Sequence, residues 1–163
     1  MKKIREIYVV DGVAYIPLTQ GKTALIDVED IDLVGGKNWH FEKGYAVRNN
    51  VANNEHTQYM HRLIANTPKG LFTDHKNGNK LDNQKANLRS ATKNQNEHNT
   101  TLRSNNTSGF KGVVWNKQKS KWQAQIKINY SLINLGLYTE IEAAAEAYAI
   151  GAKKYHGEFA RTI

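Results

Sequence analysis

Cysteine is missing from all 163 residues, which removes disulfides and thiolate zinc sites together and fits a reducing compartment. Long apolar runs are missing too. Nothing approaches the ~20 residues that cross a bilayer, so no membrane partner is expected. The opening "MKKIREIYVVDG" has charge but neither the apolar core nor the small-residue cleavage site of a secretion signal. A cytoplasmic location is the expectation. Acidic residues run short beyond residue 55. Residues 1–55 carry 7 Lys/Arg against 8 Asp/Glu, residues 56–100 carry 7 against 3, and residues 101–163 carry 9 against 4. The net +8 thus lies wholly in the last two thirds, where lysine and arginine can neutralise phosphates and release counterions. No amphipathic basic helix accompanies the excess, so nucleic acid is favoured over a membrane surface.

What is present reads as two modules. The pattern over 1–55 predicts short strands, "IYVV", "VAYIPLTQ" and "TALID", punctuated by Asp11-Gly12 and Gln20–Lys22. "WHFEKGYAVRN" predicts a hairpin about Lys43-Gly44, and "HTQYMHRLIA" a strand running into a short helix that ends before Pro68. Trp39 sits in this apolar context and reads as core. Residues 100–108 are small and polar, a linker composition. After them "GFKGVVW", "KWQAQIKI" and "SLINLGLY" predict three strands, and "TEIEAAAEAYAIGAKKYHG" a helix opened by a Thr139/Glu142 capping box. In the middle strand Trp122, Ala124, Ile126 and Ile128 fall on one face and Lys121, Gln123, Gln125 and Lys127 on the other.

Between the modules lies "TDHKNGNKLDNQKANLRSATKNQNEHN", Thr73 to Asn99, rich in asparagine and poor in apolar residues. Taken alone it reads as a solvated loop followed by a capped helix over Thr92–Asn99. It also holds the parts that metal-assisted phosphodiester hydrolysis needs. Asp74 is a hard oxygen ligand for Mg²⁺ or Mn²⁺, and His75 beside it can deprotonate water near neutral pH. Adjacent strand residues point to opposite faces, so the two share a site only near a strand end or kink. Asn96 is the candidate second ligand, with Asn94 and His98 within a turn of it. Arg62 and Arg89 are candidate phosphate contacts, and His61 in "MHRLI" reads as a packed residue. His40, His56 and His156 stand at no ligand spacing.

The spaced pattern "HRLIA…P…DHKNGNKLDNQKANLR…T…N", His61 to about Asn99, resembles the HNH nuclease signature in the form found in phage homing endonucleases. The resemblance implies a ββα-metal fold with one divalent ion held by Asp74 and Asn96, His75 as general base, and Asn87 bracing the loop that bears it. It also implies a phage gene acting in the bacterial host cytoplasm. The segment "GFKGVVWNKQKSKWQAQIKI…LINLGLYTEIEAAAEAYAIGAKKYHG" resembles the plant ethylene-response-factor DNA-binding domain of the APETALA type. That family lays its sheet in the major groove. Carried over by position, Lys111, Val114, Asn116, Gln125, Lys127 and Asn134 lie where it contacts DNA, with Lys119 and Lys121 nearby. Trp115 is placed on the groove side by alternation against a buried Trp122. Val114 and Asn134 depart from the plant pattern, so no target sequence carries over.

The whole reads as an α+β protein. A nuclease part spans residues 1–99 (a β-rich scaffold to 55, then the metal motif), 100–108 is a linker, and 109–163 is a three-stranded antiparallel sheet on one helix. The expected activity is metal-dependent cleavage of double-stranded DNA, by nicking if the protein is a monomer with one site. A DNA-binding protein that cuts nothing is the alternative.

Overall fold

The computed structural model describes residues 3–49, 57–102 and 104–162. They form two compact units, Met1–Thr92 and Lys93–Ile163. The 55/56 boundary and His56 lie outside the described residues.

In the first unit, strands β1 (Tyr8–Val10), β2 (Val13–Pro17) and β3 (Thr23–Asp27) make an antiparallel sheet in that order. Asp11 and Gly12, both at positive φ, close the first hairpin. Alternation along β2 and β3 buries Ala14, Ile16, Ala24 and Ile26. Helix α1 (Ile31–Val34) follows, then the hairpin β4 (His40–Glu42) and β5 (Tyr45–Arg48), turned at Lys43 (φ 50°) and Gly44 (φ 92°). Strand β6 (Gln58–Tyr59) adds to β5 and leads directly into α2 (Met60–Ile64). Trp39, Met60, Val34 and Ile26 are fully enclosed, and Trp39 Nε1 donates to the Val34 carbonyl at 2.9 Å. Two strands, β7 (Phe72–His75) and β8 (Leu88–Ala91), pair antiparallel beside this core.

The second unit begins with α3 (Lys93–His98). Strands β9 (Val113–Asn116), β10 (Lys121–Ile128) and β11 (Ser131–Tyr138) form an antiparallel sheet with β10 central, and α4 (Ile141–His156) lies on it. Its core is Val113, Ala124, Ile126, Ala144, Tyr148 and Ala152. Small residues let helix and sheet close up. A Cβ at Gly151 would lie 2.6 Å from Leu135 Cδ1, and one at Gly112 (φ +70°) 2.0 Å from Tyr148 Cδ2.

Two sequence expectations need correcting. Glu140, not Thr139, takes the cap position of α4 and makes no side-chain cap bond, so the Thr139/Glu142 box stands one residue too early to close. Trp115 does not lie opposite Trp122's face. Antiparallel register pairs the two directly, so they share a face, with ring centroids 5.1 Å apart, edge to face.

Candidate functional site

The site starts from the β7–β8 pairing, which sets Asp74 opposite Arg89 and His75 opposite Leu88. His75 is the last residue of β7, at the strand end where two adjacent side chains can serve one site. Beyond it the loop is stitched shut by backbone bonds. Lys76 N donates to the Asn87 carbonyl at 2.9 Å, and Gly78 N to the His75 carbonyl at 2.9 Å. Asn87 bridges the loop's two limbs: its Oδ1 accepts from Asn77 N at 3.0 Å and its Nδ2 donates to the Asp82 carbonyl at 2.7 Å. The N-terminal sheet supplies the other support. Leu25 N donates to the Leu81 carbonyl, Asn83 N to the Leu25 carbonyl, and Lys85 N to Asp27 Oδ2, each at 2.8 Å.

These bonds deliver Asn83, which is 0% exposed, to His75. Asn83 Oδ1 lies 3.0 Å from His75 Nε2, while Asn83 Nδ2 faces Met60 Sδ and the Leu81 carbonyl, both at 3.4 Å. With its amide nitrogen spoken for, Asn83 presents an acceptor. With its Oδ1 toward His75 Nε2, Asn83 favours the tautomer that donates from Nε2 and leaves the lone pair on Nδ1. Sequence reasoning missed Asn83. The visible signal was the "DN" of the motif, but its partner becomes apparent only once Leu25 has anchored the loop.

Aromatic rings wall the site. His61, 7% exposed on α2, has its ring centroid 5.1 Å from that of His75 and 5.0 Å from that of Tyr45. Its Nδ1 is buried with no hydrogen-bond partner among the described residues. Burial, then the neighbouring His75, Arg62 and Lys80, push the His61 pKa down to about 3. His75 is also lowered, chiefly by burial, against the raising effects of Asn83, Asp74 and Asp82. Both imidazoles are thus held neutral near neutral pH, which a general base requires at rest.

Two cations expected to meet phosphate are engaged inside the protein. Arg89 places Nε and Nη2 each 2.7 Å from Asp74 Oδ2, in a pair whose side chains are 11% and 6% exposed. A buried carboxylate requires such a partner, so Arg89 counters Asp74 rather than lying open to a ligand. Arg62 Nη1 donates to the Leu71 carbonyl at 2.9 Å.

The donor set bears on the metal. Among the described residues no group of three His, Cys, Asp or Glu gathers as a metal cage. Asp74 instead suits an ion of the Mg²⁺ kind, which takes one or two carboxylates and completes its shell with substrate and water oxygens. Asn96 lies on α3, in the second unit, so the expected ligand pair falls on both sides of the Thr92/Lys93 division.

In the second unit, register sorts the DNA-contact candidates. Asn116 pairs with Lys121, Val114 with Gln123, Asn134 with Gln125 and Leu132 with Lys127. Pairing and alternation put Asn116, Lys121, Gln125, Lys127 and Asn134 on the face opposite α4. Trp115 is on the α4 side, 47% exposed. Lys111 also departs from expectation: its Nζ donates to the His98 and Thr100 carbonyls, both at 2.7 Å. Burial, then Arg161, lower its pKa to about 8. It ties the start of the unit together.

Comparison with known proteins bears on the same segment. Residues 58–98 match the HNH endonuclease family. The chain is 32% identical over 106 residues to Protein 3.8 of Escherichia phage T7, an alignment covering 65% of this chain and 87% of that protein. It is 28% identical over 167 residues to an uncharacterized HNH endonuclease of Acanthamoeba polyphaga mimivirus, covering 95% of this chain and 83% of that one. No solved structure matches. The family segment runs across the Thr92/Lys93 division and takes in Asn96.

Proposed function

Because the chain belongs to the family of phage T7 Protein 3.8 and carries an HNH endonuclease segment at 58–98, we propose that it is a metal-dependent DNA endonuclease. The observation that carries this is the set His75, Asn83 and Asp74: an imidazole with its tautomer set by a buried amide, next to a buried carboxylate. His75 Nδ1 accepts the proton of a water molecule as its oxygen bonds to phosphorus and the bond to the 3′ oxygen breaks. Asn83 keeps the proton on Nε2 so that Nδ1 is the base. Asp74 would hold the ion, with Asn96 as second ligand on the family pattern. A bound Mg²⁺ or Mn²⁺ supplies positive charge to the phosphate and the leaving oxygen. Asn87 keeps the loop in register. No helix among the described residues is long and apolar enough to cross a membrane.

The face of Asn116, Lys121, Gln125, Lys127 and Asn134 is the proposed DNA reader of the second unit, on its resemblance to the ethylene-response-factor domain. Neutralising Lys121 and Lys127 should flatten the salt dependence of binding by about one unit of slope each, while Lys111→Met should leave it unchanged. Equal slopes in all three variants would remove this face from the interface.

One observation favours the alternative, a protein that binds DNA without cutting it: Arg89 already holds Asp74 Oδ2. Supercoiled plasmid incubated with Mg²⁺, Mn²⁺ or EDTA decides between them. We expect metal-dependent nicking that His75→Ala abolishes while DNA binding survives. Nicking by His75→Ala at the wild-type rate would defeat the assignment.

A further inference from the structure

A phosphodiester carries negative charge, and more gathers on its oxygens as water adds, so a fixed cation near His75 would stabilise the transition state. The cations of this region are largely engaged. Arg89 is paired with Asp74, and Arg62 donates to the Leu71 carbonyl. Lys76 Nζ donates to the Ala86 carbonyl at 2.7 Å, and Lys85 Nζ meets Glu29 at 2.5 Å and Asp30 at 2.9 Å.

Lys80 differs. Its ammonium has no carboxylate or hydrogen-bond acceptor among the described residues and lies 4.5 Å from the ring centroid of Tyr45. That ring is 6.3 Å from the ring of His75 and 5.0 Å from that of His61. A ring face holds an ammonium without cancelling its charge. The stem is guided as well: a Cβ at Gly44 would stand 3.2 Å from Lys80 Cδ, so a bare glycine leaves room for the chain to pass. Both flanks are pinned, since Asn79 N donates to Asn77 Oδ1 at 2.8 Å and Leu81 N to Asn79 Oδ1 at 3.1 Å. Lys80 acts through space on His75 and His61 alike, disfavouring a proton on each. Lys69, also basic, exerts no such effect and sits in the exposed turn before β7.

We propose that the Lys80 ammonium, parked over Tyr45, is the cation that receives the scissile phosphate. This deepens the nuclease reading of the same site and rests on it. The motif's "NGNKLDN" would then do two jobs within a few residues, presenting Lys80 to the phosphate and Asn83 to the base.

The test compares Lys80→Gln and Lys80→Arg with wild type. Binding of a fluorescent duplex in EDTA is followed across a salt series, and single-turnover nicking is followed with Mn²⁺. Lys80→Gln should flatten the slope of log K against log salt by about one and slow the cutting step about 10²-fold. Lys80→Arg should recover the slope. Lys80 is exposed, and circular dichroism checks that both variants fold. An unchanged slope, or cutting by Lys80→Gln at the wild-type rate, overturns the proposal. A wild type that does not nick with Mn²⁺ overturns the nuclease reading instead, and the slope comparison in EDTA still decides whether Lys80 meets phosphate.

Discussion

Acid should loosen the first unit, and His61 sets the size of the effect. In the folded chain its pKa lies near 3; in the unfolded chain it returns to the ordinary 6.5. Between those values the unfolded state binds a proton that the folded state refuses, so stability is complete above about pH 6.5 and falls as pH drops toward 3. The groups around it leave no relief. His75 on the end of β7, Arg62 on its own helix and Lys80 in the loop all oppose a second positive charge, and Tyr45 and Tyr59 close the remaining sides. Going from about pH 8 to about pH 5, His61 alone costs about 2 kcal/mol. With a urea slope near 1 kcal/mol per M, the unfolding midpoint should drop by roughly 2 M. Fluorotryptophan labelling reads the units separately by ¹⁹F NMR, because Trp39 belongs to the first and Trp115 and Trp122 to the second. His61→Phe keeps an aromatic ring and removes the buried Nδ1 that has no partner, so its Trp39 transition should lose only the share that His75 contributes. A wild-type Trp39 transition that does not move between the two pH values would refute this reasoning. So would an equal loss in His61→Phe.

Asn83→Leu should slow cutting by roughly 10²-fold, since a misplaced base forfeits most of what general-base catalysis adds. Long-range ¹H–¹⁵N spectra should show the metal-free wild type with His75 protonated on Nε2 and the variant as a tautomer mixture; a mixture already in wild type would sink the idea. Arg89→Met leaves the Asp74 carboxylate buried beside no guanidinium and should cost the first unit roughly 3 kcal/mol. If Asp74 takes a cation, Mn²⁺ should raise the melting temperature of that variant more than that of wild type; equal shifts would argue against Asp74 as ligand. Gly112→Ala drives a methyl to within 2.0 Å of Tyr148 Cδ2 and 2.7 Å of the Gln125 carbonyl at a positive φ. We expect a loss of about 2 kcal/mol or more in the second unit, read from the Trp122 resonance, with the Trp39 transition unmoved.

Much of this molecule was legible before folding, because local physics decided it. The Asp11-Gly12 and Lys43-Gly44 turns, the alternation along β10 and the small-residue helix α4 each follow from a period or a backbone preference carried by neighbouring residues. The resemblance of the asparagine-rich motif to the HNH signature is what pointed to Asp74, His75 and Asn87 together. What the sequence left open depended on partners distant in the chain. Arg89 and Asp74 are 15 residues apart, and only the β7–β8 register turns a candidate phosphate ligand into a counter-charge. Trp115 needed the β9–β10 pairing, since alternation within one strand gives no phase relative to another. Asn83 reaches His75 because Leu25, far upstream, holds both sides of Asp82 through backbone bonds. Local preference determined which elements exist and where the polar, ligand-type residues gather along the chain. Tertiary structure decided which charges are cancelled, which are left standing, and which nitrogen of His75 keeps its proton, because burial and pairing belong to the folded neighbourhood and to no single stretch of chain.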